Sequence, residues 1–172
     1  SVVTFCLLVL TFFICKMKFK KQINIFFLIT VICMLVCNFG YIIAIIYETY
    51  YGIIGIEMAY LPFVGEIFLP VAFLFLGFIF AKSKIRLNRN HLLLLVIPLL
   101  SVIALMTNSF HKLFFNEYRM FSDIKYGALF LYIYLPWTYG CVVVGLFYFI
   151  RFSVKNAGFF SKQAILIFLG GL

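Results

Sequence analysis

Formally charged residues and the two histidines cut the chain into long uninterrupted apolar stretches. Residues 1–15 read as the end of a first span. Residues 22–47 run for 26 positions without a formal charge, and residues 58–81 for 24 with Glu66 as the one exception. Residues 92–110 give 19 and residues 126–150 give 25, while residues 163–172 open a sixth run. A helix needs about 20 apolar residues to cross the hydrocarbon layer, and a barrel strand about 10 in strict alternation. These runs are too long and too continuous for strands. The pattern predicts an all-α polytopic transmembrane helical bundle, with five spans plus the start of a sixth. Connections are short, no internal repeat stands out, and residues 1–172 read as one region cut at both ends.

Composition narrows this further. Hydrophobic residues make up 66% of the 172 and charged ones 11%, against about 25% charged in soluble domains. Nineteen charges cannot coat a globule of this size, so a soluble fold and a disordered chain are both excluded. The net charge of +9 would otherwise raise nucleic acid as a partner. Here the bases sit between apolar runs, so they are read as topology anchors in a lipid bilayer, with no nucleic-acid partner. Cys6, Cys15, Cys33, Cys37 and Cys141 all fall inside the runs without a zinc-type pair, which argues against a disulfide framework and a metal site. Cys33 and Cys37 lie four apart on one helical face and read as small packing or lipid-facing residues. The chain opens at Ser1 in mid-run and ends at Leu172 still apolar, and neither a basic leader nor a small-residue cleavage site is present.

Basic residues set an expected orientation. Lys16, Lys18, Lys20 and Lys21 follow the first run; Lys82, Lys84, Arg86 and Arg89 follow the third; Arg151, Lys155 and Lys162 follow the fifth. The opposite connections hold only Lys112, Arg119 and Lys125, beside Glu48, Glu57, Glu117 and Asp123. Eleven against three places the basic loops in the cytoplasm and the N-terminus outside, in a multi-pass cell-membrane protein. On that map the tyrosines are uneven. Tyr41, Tyr47, Tyr50, Tyr51, Tyr60, Tyr118, Tyr126, Tyr132 and Tyr134 fall in the outer half, Tyr139 near the middle and Tyr148 toward the cytoplasm. An aromatic belt appears at both interfaces, so the bias is read either as an outward aromatic cavity in addition to a belt or as a belt alone, with Tyr outside and Phe inside.

Glu66 is the one formal charge within a complete span. A carboxylate there costs a few kcal/mol even on the lenient insertion scale, so it is expected to face protein or trapped water. Pro70, four residues on, has no N–H for the Glu66 carbonyl, and Pro62 and Gly65 add irregularity to the same turn. Asn38 in the second run reads as an interhelical hydrogen-bonding group. Tyr132 and Tyr139 lie seven apart on one face with Pro136, a second expected kink, between them; Tyr134 and Trp137 point the other way. Thr107-Asn108-Ser109-Phe110-His111 has the capping and turn chemistry of a helix leaving the membrane. His111 is the one histidine on the outer side, and His91 belongs to the inner interface. Glu66, Asn108, His111, Tyr132 and Tyr139 are the candidate stimulus pocket. No nucleophile elbow, zinc-protease, P-loop or dinucleotide motif occurs, so no catalytic residue, cofactor or metal is assigned and this fragment is not expected to be an enzyme.

From about Met58 to Leu172 the sequence resembles the N-terminal seven-transmembrane region of bacterial sensor histidine kinases. The residues that carry this are the Gly65-to-Pro70 stretch with Phe73 and Phe75, Ile97-Pro98, and Thr107-Asn108 with His111 and Leu113. Tyr126-Gly127 with Phe130, Tyr132-Ile133-Tyr134-Leu135, Gly140 and Gln163 complete the match. The Thr-Asn-x-x-His-x-Leu and Tyr-Gly elements are the most specific. The resemblance implies a sensor of an extracytoplasmic or intramembrane stimulus, of unknown chemistry, within a two-component system. It also implies a cytoplasmic output domain in cis, a histidine kinase or a diguanylate cyclase, and a homodimer. The rival reading is a transporter or permease fragment, since transporters also use broken helices and midplane carboxylates. Only the third run has that character here. A lipid-acting membrane enzyme would need a further polar cluster, and none is seen.

Overall fold

The computed structural model describes residues 2–16, 22–52, 60–82, 89–118 and 124–155. It is an all-α bundle carrying one small hairpin. Helix α1 spans Val2–Lys16, α2 Gln22–Tyr51 and α3 Tyr60–Lys82. The fourth run is a chain of short pieces: α4 (Arg89–Leu92), a 3-10 turn (Leu93–Leu95), α5 (Val96–Met106) and α6 (Asn108–His111). Pro98 explains the tightened turn, because it has no N–H for the Leu94 carbonyl and its ring crowds that group. Strands β1 (Phe115–Glu117) and β2 (Lys125–Tyr126) pair antiparallel, with Phe115 opposite Tyr126 and Glu117 opposite Lys125 across a bulge. A wide π turn, Phe130–Tyr134, then feeds α7, Leu135–Lys155.

Three helices are long and apolar enough to cross a membrane: Gln22–Tyr51, Tyr60–Ala81 and Phe130–Phe152. Val2–Phe13 and Leu93–Met106 are apolar but shorter. The all-α bundle therefore stands, and among the described residues three helices meet the length and apolarity of a membrane span. The expected sixth span, residues 163–172, lies outside the described residues. The structure amends the sequence reading at two places. The connection after α6 holds a β-hairpin, and the amide of Asn38 donates to the Met34 carbonyl of its own helix at 2.9 Å instead of crossing to a neighbour.

Helix α3 is the spine of the bundle, with α2 on one side and α7 on the other. Its Ile67, Val71, Leu74, Phe75 and Ile79 are buried. In lipid, helices gain little from the hydrophobic effect and associate through close backbone packing at small residues. Both contacts of α3 work this way. A Cβ on Gly65 would come within 2.6 Å of Cys37 Sγ and 2.7 Å of the Cys33 carbonyl, and one on Gly77 within 2.8 Å of the Gly145 carbonyl. The Cys33–Cys37 turn thus packs against α3, the Cys37 sulfur and the Cys33 carbonyl both lying at Gly65.

Two apolar clusters cap the ends of this spine. At one end Phe63 of α3 packs with Leu105, Phe114, Phe115, Phe130 and Tyr134. At the other, Val71, Leu74, Phe75, Ile79 and Cys141 gather with Ile23, Phe26, Phe78 and Trp137 around them. His91 closes this second end, its ring 6.2 Å from that of Phe75 and 6.4 Å from that of Phe78.

Candidate functional site

Glu66 is half-buried, six residues beyond Tyr60 in α3 and about 9 Å from it along the helix axis. The Tyr41 hydroxyl of α2 donates to Glu66 Oε1 at 2.5 Å, the short end of the range for a phenol on a carboxylate. Around it, Gly65 lies against Cys37 of α2, and Phe63 packs 6.3 Å from the ring of Tyr118, just beyond β1, and in one cluster with Tyr134 of the π turn. Burial pushes the Tyr118 phenol above its ordinary value, and the Glu66 charge adds to that. Among the described residues no base pairs with Glu66; the ion pair present there joins Lys125 to Glu117 at 2.8 Å on the exposed hairpin. The carboxylate is thus held by one phenol at the point where α2, α3, the hairpin and the π turn meet. Helix α3 runs through Pro70 without a break, leaving the Glu66 carbonyl without its usual donor one turn away.

The hairpin is fastened over this junction by Asn108, which is 2% exposed. Its Oδ1 accepts from the N–H groups of Phe114 and Phe115, and its Nδ2 donates to the Phe115 carbonyl, each at 2.9 Å. Both ends of the amide are occupied, each in the role its chemistry allows. His111 supports the same turn. Its Nδ1 accepts from the Leu113 N–H at 2.9 Å, and its Nε2 lies 3.0 Å from the Thr107 hydroxyl. Lys112 ends the short helix at φ 52°, its N–H on the Asn108 carbonyl at 2.8 Å. On the return strand a Cβ at Gly127 would lie 2.1 Å from the Leu113 carbonyl. Only glycine lets the strands pass there, with the Gly127 N–H on the Phe114 carbonyl at 2.8 Å. Phe114 and Phe115, at 0% and 1% exposure, are thereby pressed onto Phe63, with ring centroids 6.4 and 4.9 Å away.

The five candidate residues do not form one pocket. Glu66 sits at the junction. Asn108 and His111 hold the hairpin and spend their polar atoms on backbone and on Thr107. Tyr132 and Tyr139 face outward, 79% and 63% exposed on the described surface. Tyr134 and Trp137, on the opposite face of the same helix, are the ones turned into the bundle. Tyr41 is the phenol that bonds Glu66, a partner that residue type alone did not single out among the outer tyrosines. For Tyr41 a signal existed, since its offset from Glu66 across the α2–α3 turn matches two antiparallel helices. Among the described residues no group of three metal-ligating side chains occurs.

The sequence matches the family described as the N-terminal 7TM region of histidine kinase over residues 1–172. The chain belongs to that family. Comparison with curated proteins and with solved structures gives no match. Membership makes the chain a membrane sensor region, a non-catalytic input module, and leaves the permease alternative unfavoured. The two motif elements that carried the resemblance now have a physical meaning. Thr107-Asn108 with His111 and Leu113 is the knot that holds the first strand, and Tyr126-Gly127 is the passage that admits the second.

Proposed function

We propose that the chain is the sensing half of a signalling protein, in which the Glu66 junction responds to an extracytoplasmic or intramembrane stimulus and α7 carries the response toward a cytoplasmic output domain. The basic residues support an outward N-terminus, the hairpin outside and the Lys- and Arg-rich connections in the cytoplasm. On this reading α1 and the α4–α5 chain complete five passes, with a sixth beginning at Gln163, in a multi-pass plasma-membrane protein.

One observation carries the proposal: a half-buried carboxylate, held by a single phenol and by no base among the described residues, lies where four elements meet. A carboxylate inside a membrane bundle is costly, and such residues mark ion, proton or ligand sites. Anything that changes what Glu66 holds changes the packing of α2, α3, the hairpin and the π turn together. A stimulus can bias such a bundle only through different affinities for its two arrangements.

The test is Glu66→Gln in the full-length protein, with output measured in membranes at matched protein levels. The amide keeps an acceptor for Tyr41 and removes the charge. A shift of about fivefold or more in basal output is expected, the lower end of typical coupling energies. Unchanged output would remove the junction from the sensing role.

A further inference from the structure

The strongest feature besides the Glu66 carboxylate is the wide turn above α7. Over Phe130–Tyr134 the helix takes a π geometry, closed by the Leu135 N–H on the Phe130 carbonyl. A π turn holds one residue more than an α turn and is found mostly at functional positions. Its local cause is Pro136, whose ring would crowd the Tyr132 carbonyl in a plain α-helix; the wider turn moves that carbonyl away. Immediately below it, Trp137 Nε1 and Thr138 Oγ1 are buried without a hydrogen-bond partner among the described residues. The Thr138 hydroxyl lies near the Tyr134 phenol but makes no well-formed bond to it. Buried polar groups are ordinarily satisfied. Two consecutive orphans directly after an inserted residue mark a register that the polar groups do not favour.

We infer that the Phe130–Tyr134 turn is a register switch: releasing its extra residue advances α7 by one position, turning it about 100° and sliding it about 1.5 Å. The inference rests on the sensor reading for its purpose, but its geometry stands apart from any stimulus. The turn touches both sides of the molecule. Tyr134 packs on Phe114, with ring centroids 5.6 Å apart, and lies within reach of the Glu66 charge. Below, Gly145 is seated on α3 at Gly77, with the Phe73 ring beside it. After a one-position advance Val144 takes the place of Gly145. Its side chain meets the Phe73 ring, which lies 2.9 Å from where a Cβ would stand. The lower half of α7 must then move off α3, and that is the displacement a downstream domain receives.

Cysteine cross-linking reads the register directly. Phe80 and Phe149 have ring centroids 5.0 Å apart; after the advance Tyr148 occupies the place of Phe149. In full-length protein in membranes, with native cysteines replaced by alanine, Phe80→Cys is paired with Phe149→Cys or with Tyr148→Cys. The pair Phe26→Cys and Phe75→Cys, whose parent rings lie 5.3 Å apart between α2 and α3, reports that the fold is intact. With Pro136 present, cross-linking at 149 dominates. Pro136→Ala removes the reason for the wide turn, so the 148-to-149 ratio rises by about fivefold. Deleting Leu131 as well takes out the extra residue and returns the cross-link to 149. If Pro136→Ala loses the control cross-link, Pro136→Leu, which also removes the ring that crowds the Tyr132 carbonyl, replaces it and must give the same move to 148. Cross-linking that stays at 149 while the control forms overturns the switch. So does a move to 148 that the Leu131 deletion fails to reverse, since that describes loosening and not register. Neither outcome bears on whether Glu66 controls output, so the two readings fail separately.

Discussion

At the scale of single residues, the distinction that matters is between side chains whose polar atoms are spent and those left free to respond. Asn108 belongs to the first kind. Truncation to alanine orphans two N–H groups and a carbonyl in a buried setting, at about 1–3 kcal/mol for each group left unsatisfied. Asn108→Ala should therefore cost at least about 3 kcal/mol of stability, seen as a lower unfolding temperature in detergent and faster proteolysis of the hairpin. His111→Ala, at an exposed position, should cost about 1 kcal/mol or less. Equal effects at the two sites would refute the division of labour drawn here. Residue type and spacing had singled out Glu66, Asn108 and His111, and the turn chemistry of Thr107 to His111 was legible. What the sequence could not tell was which of them face one another. Tyr132 and Tyr139 illustrate why: seven-residue spacing puts them on one face, but periodicity alone does not say whether that face meets protein or lipid. Inside a membrane both faces are apolar, so the usual contrast between buried and exposed positions is lost.

At the scale of helices and turns, the boundaries of α2 and α3 followed closely from the uncharged runs, because charge is the costliest thing to bury. Two elements escaped. The hairpin depends on Asn108 reaching Phe114 and Phe115, a contact too irregular for any period. The π turn depends on how the chain relieves Pro136; the proline announced a distortion without announcing its form. The packing of α3 yields a sharp prediction. Gly65→Val places atoms where the Cys33 carbonyl and Cys37 Sγ already are, so it should destabilise by at least the roughly 1–3 kcal/mol typical of overpacking. Gly140, with nothing within 4 Å of where a Cβ would stand, should accept alanine at no cost or with a gain of up to about 1 kcal/mol from helix propensity. Thermal unfolding of the two variants side by side separates close helix contact from a general dislike of change at glycine.

For the whole molecule, the pieces combine into a bundle whose two ends do different work. The hairpin end, with Phe63, Phe114, Phe115 and Tyr134, encloses the carboxylate. The other end, with Phe75, Phe78, His91 and Trp137, ties α3 to α7 beside the basic connections. The orientation proposed from charge is checked by impermeant thiol labelling of intact cells. A cysteine at Asn116 should label from outside, and one at Lys84 only after the membrane is opened. The reverse pattern would turn the sensing end toward the cytoplasm. The central claim is that Glu66 and Tyr41 act as one unit that sets the state of the bundle. A double-mutant cycle on output in the full-length protein tests it most directly, using Tyr41→Phe, Glu66→Leu and the pair. Coupling predicts that either single change moves output nearly as far as both together, an interaction of about 1 kcal/mol or more; effects that add within about 0.3–0.5 kcal/mol would contradict it.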